Sequence, residues 1–109
     1  MHPAITRFAV VLAFIAAPAF AAGNKDDGHI KVYTCSGCHG IPGYRNAAPN
    51  YPVPKIHNQN EAYIVAALTA YRAGDRPHPT MRAQAESLTD QDIADIAAYL
   101  SDAGGEPKR

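Results

Sequence analysis

Cys35 and Cys38 are the two cysteines of the chain, and His39 follows the second directly, so residues 35–39 read Cys-Ser-Gly-Cys-His. Two thiols at this spacing can each add to one vinyl group of a haem, which fixes the porphyrin by two thioethers and holds the adjacent imidazole under the iron. The pattern is the attachment signature of c-type haem. Other chemistries use the same residue types. Two exported cysteines could form a disulfide, a Cys-x-x-Cys pair could be a redox dithiol, and Cys, Cys and His could bind zinc. A zinc site needs a fourth ligand, and a thioredoxin-like dithiol needs a strand and helix context that the surrounding pattern lacks.

A covalent haem with His39 on one face leaves a sixth iron position. Met81 is the only methionine besides Met1, and it follows Pro79-Thr80 in a proline-containing stretch, residues 75–87, expected to be an irregular loop able to present a side chain to the iron. A lone methionine is usually core filler; with the attachment signature upstream, a thioether ligand becomes the better reading. Three histidines compete with it. His29 lies ten residues before His39 on the same side of the attachment site, whereas His57 and His78 are better placed, His78 being three residues from Met81. All three read first as solvated histidines.

The elements that position these residues are helical. Residues 27–34 can form a short helix with Asp26 or Asp27 at its start, where a carboxylate favours the helix dipole. Ile64, Ala67, Leu68 and Tyr71 fall at i, i+3, i+4 and i+7 within a helix over 61–73, and Gly74 stands at its stop. Thr89 as N-cap, Asp92 three residues on, and Ile93, Ile96, Ala97 and Leu100 on one face predict a last helix that ends near Asp102, ahead of Gly104 and Gly105. Between the first two helices, residues 40–58 contain Gly40, Pro42, Gly43, Pro49, Pro52 and Pro54 without a sustained period. Structureless loops of that length usually wrap a ligand or carry function. No alternating strand pattern or internal repeat is present, and the fold class is all-α.

Residues 1–21 have the parts of a secretory signal: Arg7, an apolar run from Phe8 to Ala17, and Ala19-Phe20-Ala21 as a cleavage site. Membrane spans want about 20 apolar residues, so stable membrane insertion is not expected. Cleavage would leave residues 22–109 as one domain, without Trp or Phe, since Phe8, Phe14 and Phe20 all lie in the leader. Domains this small bury only about 60% of their unfolded surface and commonly need a disulfide, metal or cofactor.

After the leader, nine Lys and Arg stand against ten Asp and Glu, which argues against nucleic acid as a partner. Residues 22–82 carry a net charge of plus three and residues 83–109 minus four, so a dipolar molecule is expected. Lys31, Arg45, Lys55, Arg72, Arg76 and Arg82 form the pool for a basic docking surface.

These residues together resemble the bacterial class I c-type cytochromes, most closely one half of the two-haem periplasmic cytochromes built from tandem copies. The resemblance is carried by Gly28 seven residues before Cys35; by Cys35, Cys38, His39 and Gly40; by Ala48-Pro49-Asn50-Tyr51-Pro52 and Pro54-Lys55-Ile56; and by Tyr63, Ile64, Leu68, Tyr71, Gly74, Arg76, Met81 and the run from Leu88 to Tyr99. It implies a small class I cytochrome c fold, three main helices and long loops wrapped around one covalent haem c. It also implies that Met81 ligates the iron, that the Pro49 carbonyl accepts a hydrogen bond from His39, and that the first and last helices cross at Gly28 against Tyr99 and Ile96. Asn58 stands where the family usually has Gly, and Asn tolerates the left-handed conformation.

The expected function is therefore a periplasmic carrier of single electrons between redox-protein donor and acceptor, cycling Fe(II) and Fe(III), and not an enzyme. A haem subunit of a larger dehydrogenase or oxidase complex and a ligand-binding haem sensor are the alternatives. Tyr63 and Tyr71 are candidates for the apolar wall beside Met81.

Overall fold

The computed structural model describes residues 11–13, 22–47 and 50–102. The leader expected over residues 1–21 lies outside these apart from residues 11–13, as do Gly104 and Gly105. Helix α1 (Lys25–Lys31) and helix α2 (Tyr33–His39) are separated only by Val32, and the hydrogen-bond ladder runs on across it: Val32 N–H donates to Gly28 C=O at 2.9 Å and Ser36 N–H to Val32 C=O at 3.0 Å. The cap is Asn24, whose side chain accepts from the amides of Asp26 and Asp27. The helical region thus starts earlier than residue 27 and runs past residue 34 through the Cys-Ser-Gly-Cys-His segment. That segment is a weak helix former by composition, so the attachment signature gives no local sign of its helical state.

Helix α3 (Glu61–Ala73) is capped by Asn60, which accepts from Tyr63 N–H, and it stops at Gly74, whose φ of 81° is the left-handed C-cap conformation open to glycine. Helix α4 (Pro79–Ala85) corrects the expectation of an irregular stretch over 75–87. Pro77 and Pro79 read as breakers, yet a proline in the first helical turn is pre-organised and loses no intrahelical donor. Helix α5 (Asp90–Leu100) carries the expected capping box, Thr89 with Asp92, and ends with Ser101 as its C-cap.

Helices α1 and α5 cross with backbones in contact. A Cβ on Gly28 would stand 2.0 Å from the Asp95 carbonyl oxygen and 2.8 Å from Tyr99 Cβ, and one on Gly23 would stand 2.0 Å from the Ala94 carbonyl oxygen. The expected crossing at Gly28 is present, with Tyr99 as one partner and Asp95, rather than Ile96, as the other. Below it Val32, Ile64, Ile96, Ala97 and Leu100 form the core, with Cys35, Ile56, Leu68 and Leu88 packed against it. Full burial of an isoleucine such as Ile96 is worth about 1.5–3 kcal/mol. Helix α3 packs on α5, and α4 on α3.

The long segment between α2 and α3 has order of its own. Arg45 and Pro52 form an isolated antiparallel bridge, Asn46 N–H donates to Tyr51 C=O at 3.0 Å, and Val53 N–H donates to Tyr44 C=O at 2.9 Å. Asn58 has φ 60°, and its N–H donates to Leu100 C=O at 2.8 Å, fastening the loop to the end of α5.

Candidate haem site

Helix α2 places Cys35 and Cys38 at i and i+3, so both thiols share one side of a helical turn. Both are free and half-buried. Cys35 packs against the core, and this burial pushes its thiol pKa up, partly offset by a hydrogen bond with Thr34. An attached group would therefore be anchored directly to the packed part of the domain.

The His39 ring lies with Nδ1 2.7 Å from the carbonyl oxygen of Pro54. A carbonyl only accepts, so Nδ1 carries the proton and Nε2 keeps its lone pair for a metal. The carbonyl that meets this ring is thus Pro54's. Pro49, to which the resemblance assigned that role, lies outside the described residues. Pro54 was visible in the Pro-Lys-Ile run, but no spacing rule says which carbonyl of a proline-rich loop folds back on the imidazole.

Met81 is half-buried in the first half of α4. His78 is the N-cap of that helix, its Nδ1 accepting from Met81 N–H at 3.2 Å. Two tyrosine rings meet the His78 imidazole edge-on, Tyr51 at 4.7 Å and Tyr71 at 5.8 Å between centroids. The Tyr51 hydroxyl donates to Thr80 Oγ1 at 2.7 Å and accepts from Asn46 Nδ2. Tyr71 also carries the Arg76 guanidinium 4.7 Å from its ring centre, while Arg76 donates to the Tyr63 hydroxyl. The backbones of α2 and α4 do not approach each other: α2 runs on from α1, and α4 packs on α3. Two thiols and an imidazole on one helix, with a thioether on another held apart from it, suit a flat macrocycle ligated from both faces.

The other histidines are engaged elsewhere. His29 stacks on Tyr99 at 5.1 Å, and His57 meets the same ring edge-on at 6.1 Å, so both belong to the α5 side. A groove lined by Gly23, Asn60, Glu61, Val65 and Ala94 contains none of the expected site residues.

The charge asymmetry along the chain is largely cancelled in space. Lys25 pairs with Asp102 at 3.0 Å, Lys31 with Asp92 at 2.9 Å and Asp95 at 2.5 Å, Arg72 with Asp90 at 2.6 Å, and Arg82 with Glu86 at 3.1 Å. Each pair joins a base before residue 83 to an acid after it. Lys31, Arg72 and Arg82 are therefore committed within the molecule, which leaves Arg45, Lys55 and Arg76 of the basic pool outside the ion pairs of the described residues.

Residues 30–104 match the family model described as cytochrome c, and the chain belongs to the cytochrome c family. Domains of this family bind covalently attached haem c with its iron, and its electron-carrying members are not enzymes. The chain is similar to cytochrome c4 of Stutzerimonas stutzeri, 38% identical over 96 residues that make up 80% of this chain and 44% of that one. It is also similar to cytochrome c-554(548) of Halomonas halodenitrificans, 41% identical over 83 residues covering 73% of this chain and 96% of the relative. The solved cytochrome c4 of Acidithiobacillus ferrooxidans superposes with a TM-score of 0.56 at 30% identity, covering 79% of this chain and 52% of the other. The chain spans about half the length of the cytochrome c4 relatives it matches.

Proposed function

We propose that the chain carries one electron at a time between redox proteins in the periplasm, with a single haem c attached through Cys35 and Cys38 and its iron ligated by His39 and Met81. The observation that carries this reading is the His39 imidazole held at Nδ1 by the Pro54 carbonyl, beside two free thiols on the same helix. When bound, the group supplies a one-electron Fe(II)/Fe(III) couple. His39 offers a basic nitrogen in a fixed orientation, and the Met81 thioether, a soft donor, favours the ferrous state and raises the potential. Cys35 and Cys38 keep the group in register with the core. Ligation by both His39 and Met81 would leave the iron no open position for a substrate, the condition of a carrier rather than of an enzyme or gas sensor.

The partners are a donor and an acceptor of the redox-protein class. The leader pattern in residues 1–21 supports export, and among the described residues no helix is long and apolar enough to cross a membrane. Replacement of Met81 by Ala tests the reading. The variant is expected to keep its haem, lose the weak far-red charge-transfer band of methionine-ligated ferric haem, drop in potential, and bind carbon monoxide when reduced. A variant with the parent's spectrum and potential would remove Met81 as ligand and the carrier reading with it.

A further inference from the structure

We infer that Tyr51 and His78 are positioning residues for the sixth iron ligand: together they latch the proline loop to the first turn of α4 and so fix where Met81 stands. The inference rests on the reading of Met81 as that ligand. A seven-residue helix has little stability of its own, and of α4 only Ala85 is buried. Helix α4 leans on α3, and beyond that its first turn is oriented by what fastens it. His78 supplies the cap, taking the Met81 amide hydrogen on Nδ1, and its ring makes T-shaped contacts with those of Tyr51 and Tyr71. Tyr51 in addition holds Thr80, the residue before Met81, through its hydroxyl, and Asn46 steadies that hydroxyl from within the loop. One tyrosine thus reaches the residues one and three positions before the ligand.

Methionine has three rotatable side-chain bonds and adapts to its surroundings. A reproducible iron–sulfur distance therefore demands a fixed backbone, and the latch fixes it. The same loop also positions His39: Pro54, three residues after Tyr51, accepts from its ring. Both residues that would hold the iron are thus positioned from one short stretch of chain, so a change at Tyr51 would act on the site without touching either of them.

The test uses the haem-loaded protein and four variants, Tyr51→Phe, His78→Ala, His78→Asn and Met81→Ala. Each is measured well below its own unfolding temperature, by the ferric far-red band and by the rate at which carbon monoxide binds the reduced form. His78→Ala should weaken the band and raise the binding rate about fivefold, the scale of a lost N-cap, while Asn, which caps as well as any residue, should return the rate to within about twofold of the parent. Tyr51→Phe keeps the ring edge and loses the hydroxyl, and should raise the rate about threefold, the size of one hydrogen bond. Parent-like band and rate in both His78→Ala and Tyr51→Phe, even with lowered melting temperatures, would overturn the latch and leave a purely structural cap. An Asn variant that behaves like the Ala variant would overturn it too. If instead Met81→Ala keeps the band, the ligand reading fails and the latch falls with it.

Discussion

The crossing of α1 with α5 and the side built from α2, the proline loop and α4 are held by different forces. At the crossing, glycines let two backbones touch, seven residues of α5 are buried, and the buried Asp95 carboxylate accepts from the Asn24 amide, Lys31 and Gln91. On the other side α2 has no buried residue and α4 one; Cys35 touches the core and α4 packs on α3, but α2, the loop and α4 are tied to one another by single hydrogen bonds and aromatic contacts. One region is closed by its own packing. The other is a frame of directed contacts around the side chains proposed to hold the haem, and its stability is expected to come from that group.

The largest expected effect breaks this comparison from the haem side. Replacing Cys35 and Cys38 together by Ala should leave a chain without a cooperative fold, because the packed crossing alone is too small a core for a domain of this size. Far-ultraviolet circular dichroism with native-like helix content and a sharp melt would show that the crossing suffices by itself.

Attack on the crossing should cost less but still much. Gly28→Val drives a side chain into the Asp95 carbonyl, a backbone atom that can yield only by separating the helices, and should destabilise the haem-loaded protein by about 3 kcal/mol or more. Gly37, on α2, meets no protein atom where a Cβ would go and lies away from the crossing, so Gly37→Ala should change stability by no more than about 1 kcal/mol. Denaturant midpoints of the two variants measure how unequal the regions are; equal losses would erase the distinction.

The smallest effect concerns the charge buried at the crossing. Asp95 is held down to about 2 by the Asn24 amide first, then by Lys31 and Gln91. Its folded value lies below the unfolded carboxylate value of about 3.9. Its contribution is therefore complete above about pH 4 and lost as pH falls toward about 2. Lys31 is shifted upward by Asp95 and Asp92, so its share is present below about pH 10.4 and fades only at higher pH, as the folded value is passed. Melting temperatures of Asp95→Asn should run below the parent near neutral pH and converge with it at the acid end. Parallel curves across that window would show that the carboxylate's charge is not what the crossing uses.

Much of this was legible in the chain itself because it is local. Cys35, Cys38 and His39 declare their chemistry by adjacency, Thr89 and Asp92 declare a helix start, Gly74 a stop, and Asn58 its left-handed turn, since each depends on neighbours within one helical turn. Helix α4 was hidden because prolines act as breakers or as first-turn residues according to what caps them, and the His78 cap is a side-chain choice that spacing does not report. The carbonyl on His39 and the Tyr51 contact to α4 join residues 15 and 29 positions apart in the chain, and residue type alone cannot say which of several prolines folds back. Charge shows the same division. The sequence separates bases before residue 83 from acids after it; Arg82 meets Glu86 locally, one helical turn on, while folding brings Lys25, Lys31 and Arg72 onto acids of the last third because α5 packs across α1 and α3. Identity and local conformation were determined by the residues themselves. Which carbonyl orients the imidazole, which ring steadies the methionine and which charges stay outward were decided by tertiary contact, since each depends on distances between segments that the covalent chain leaves free.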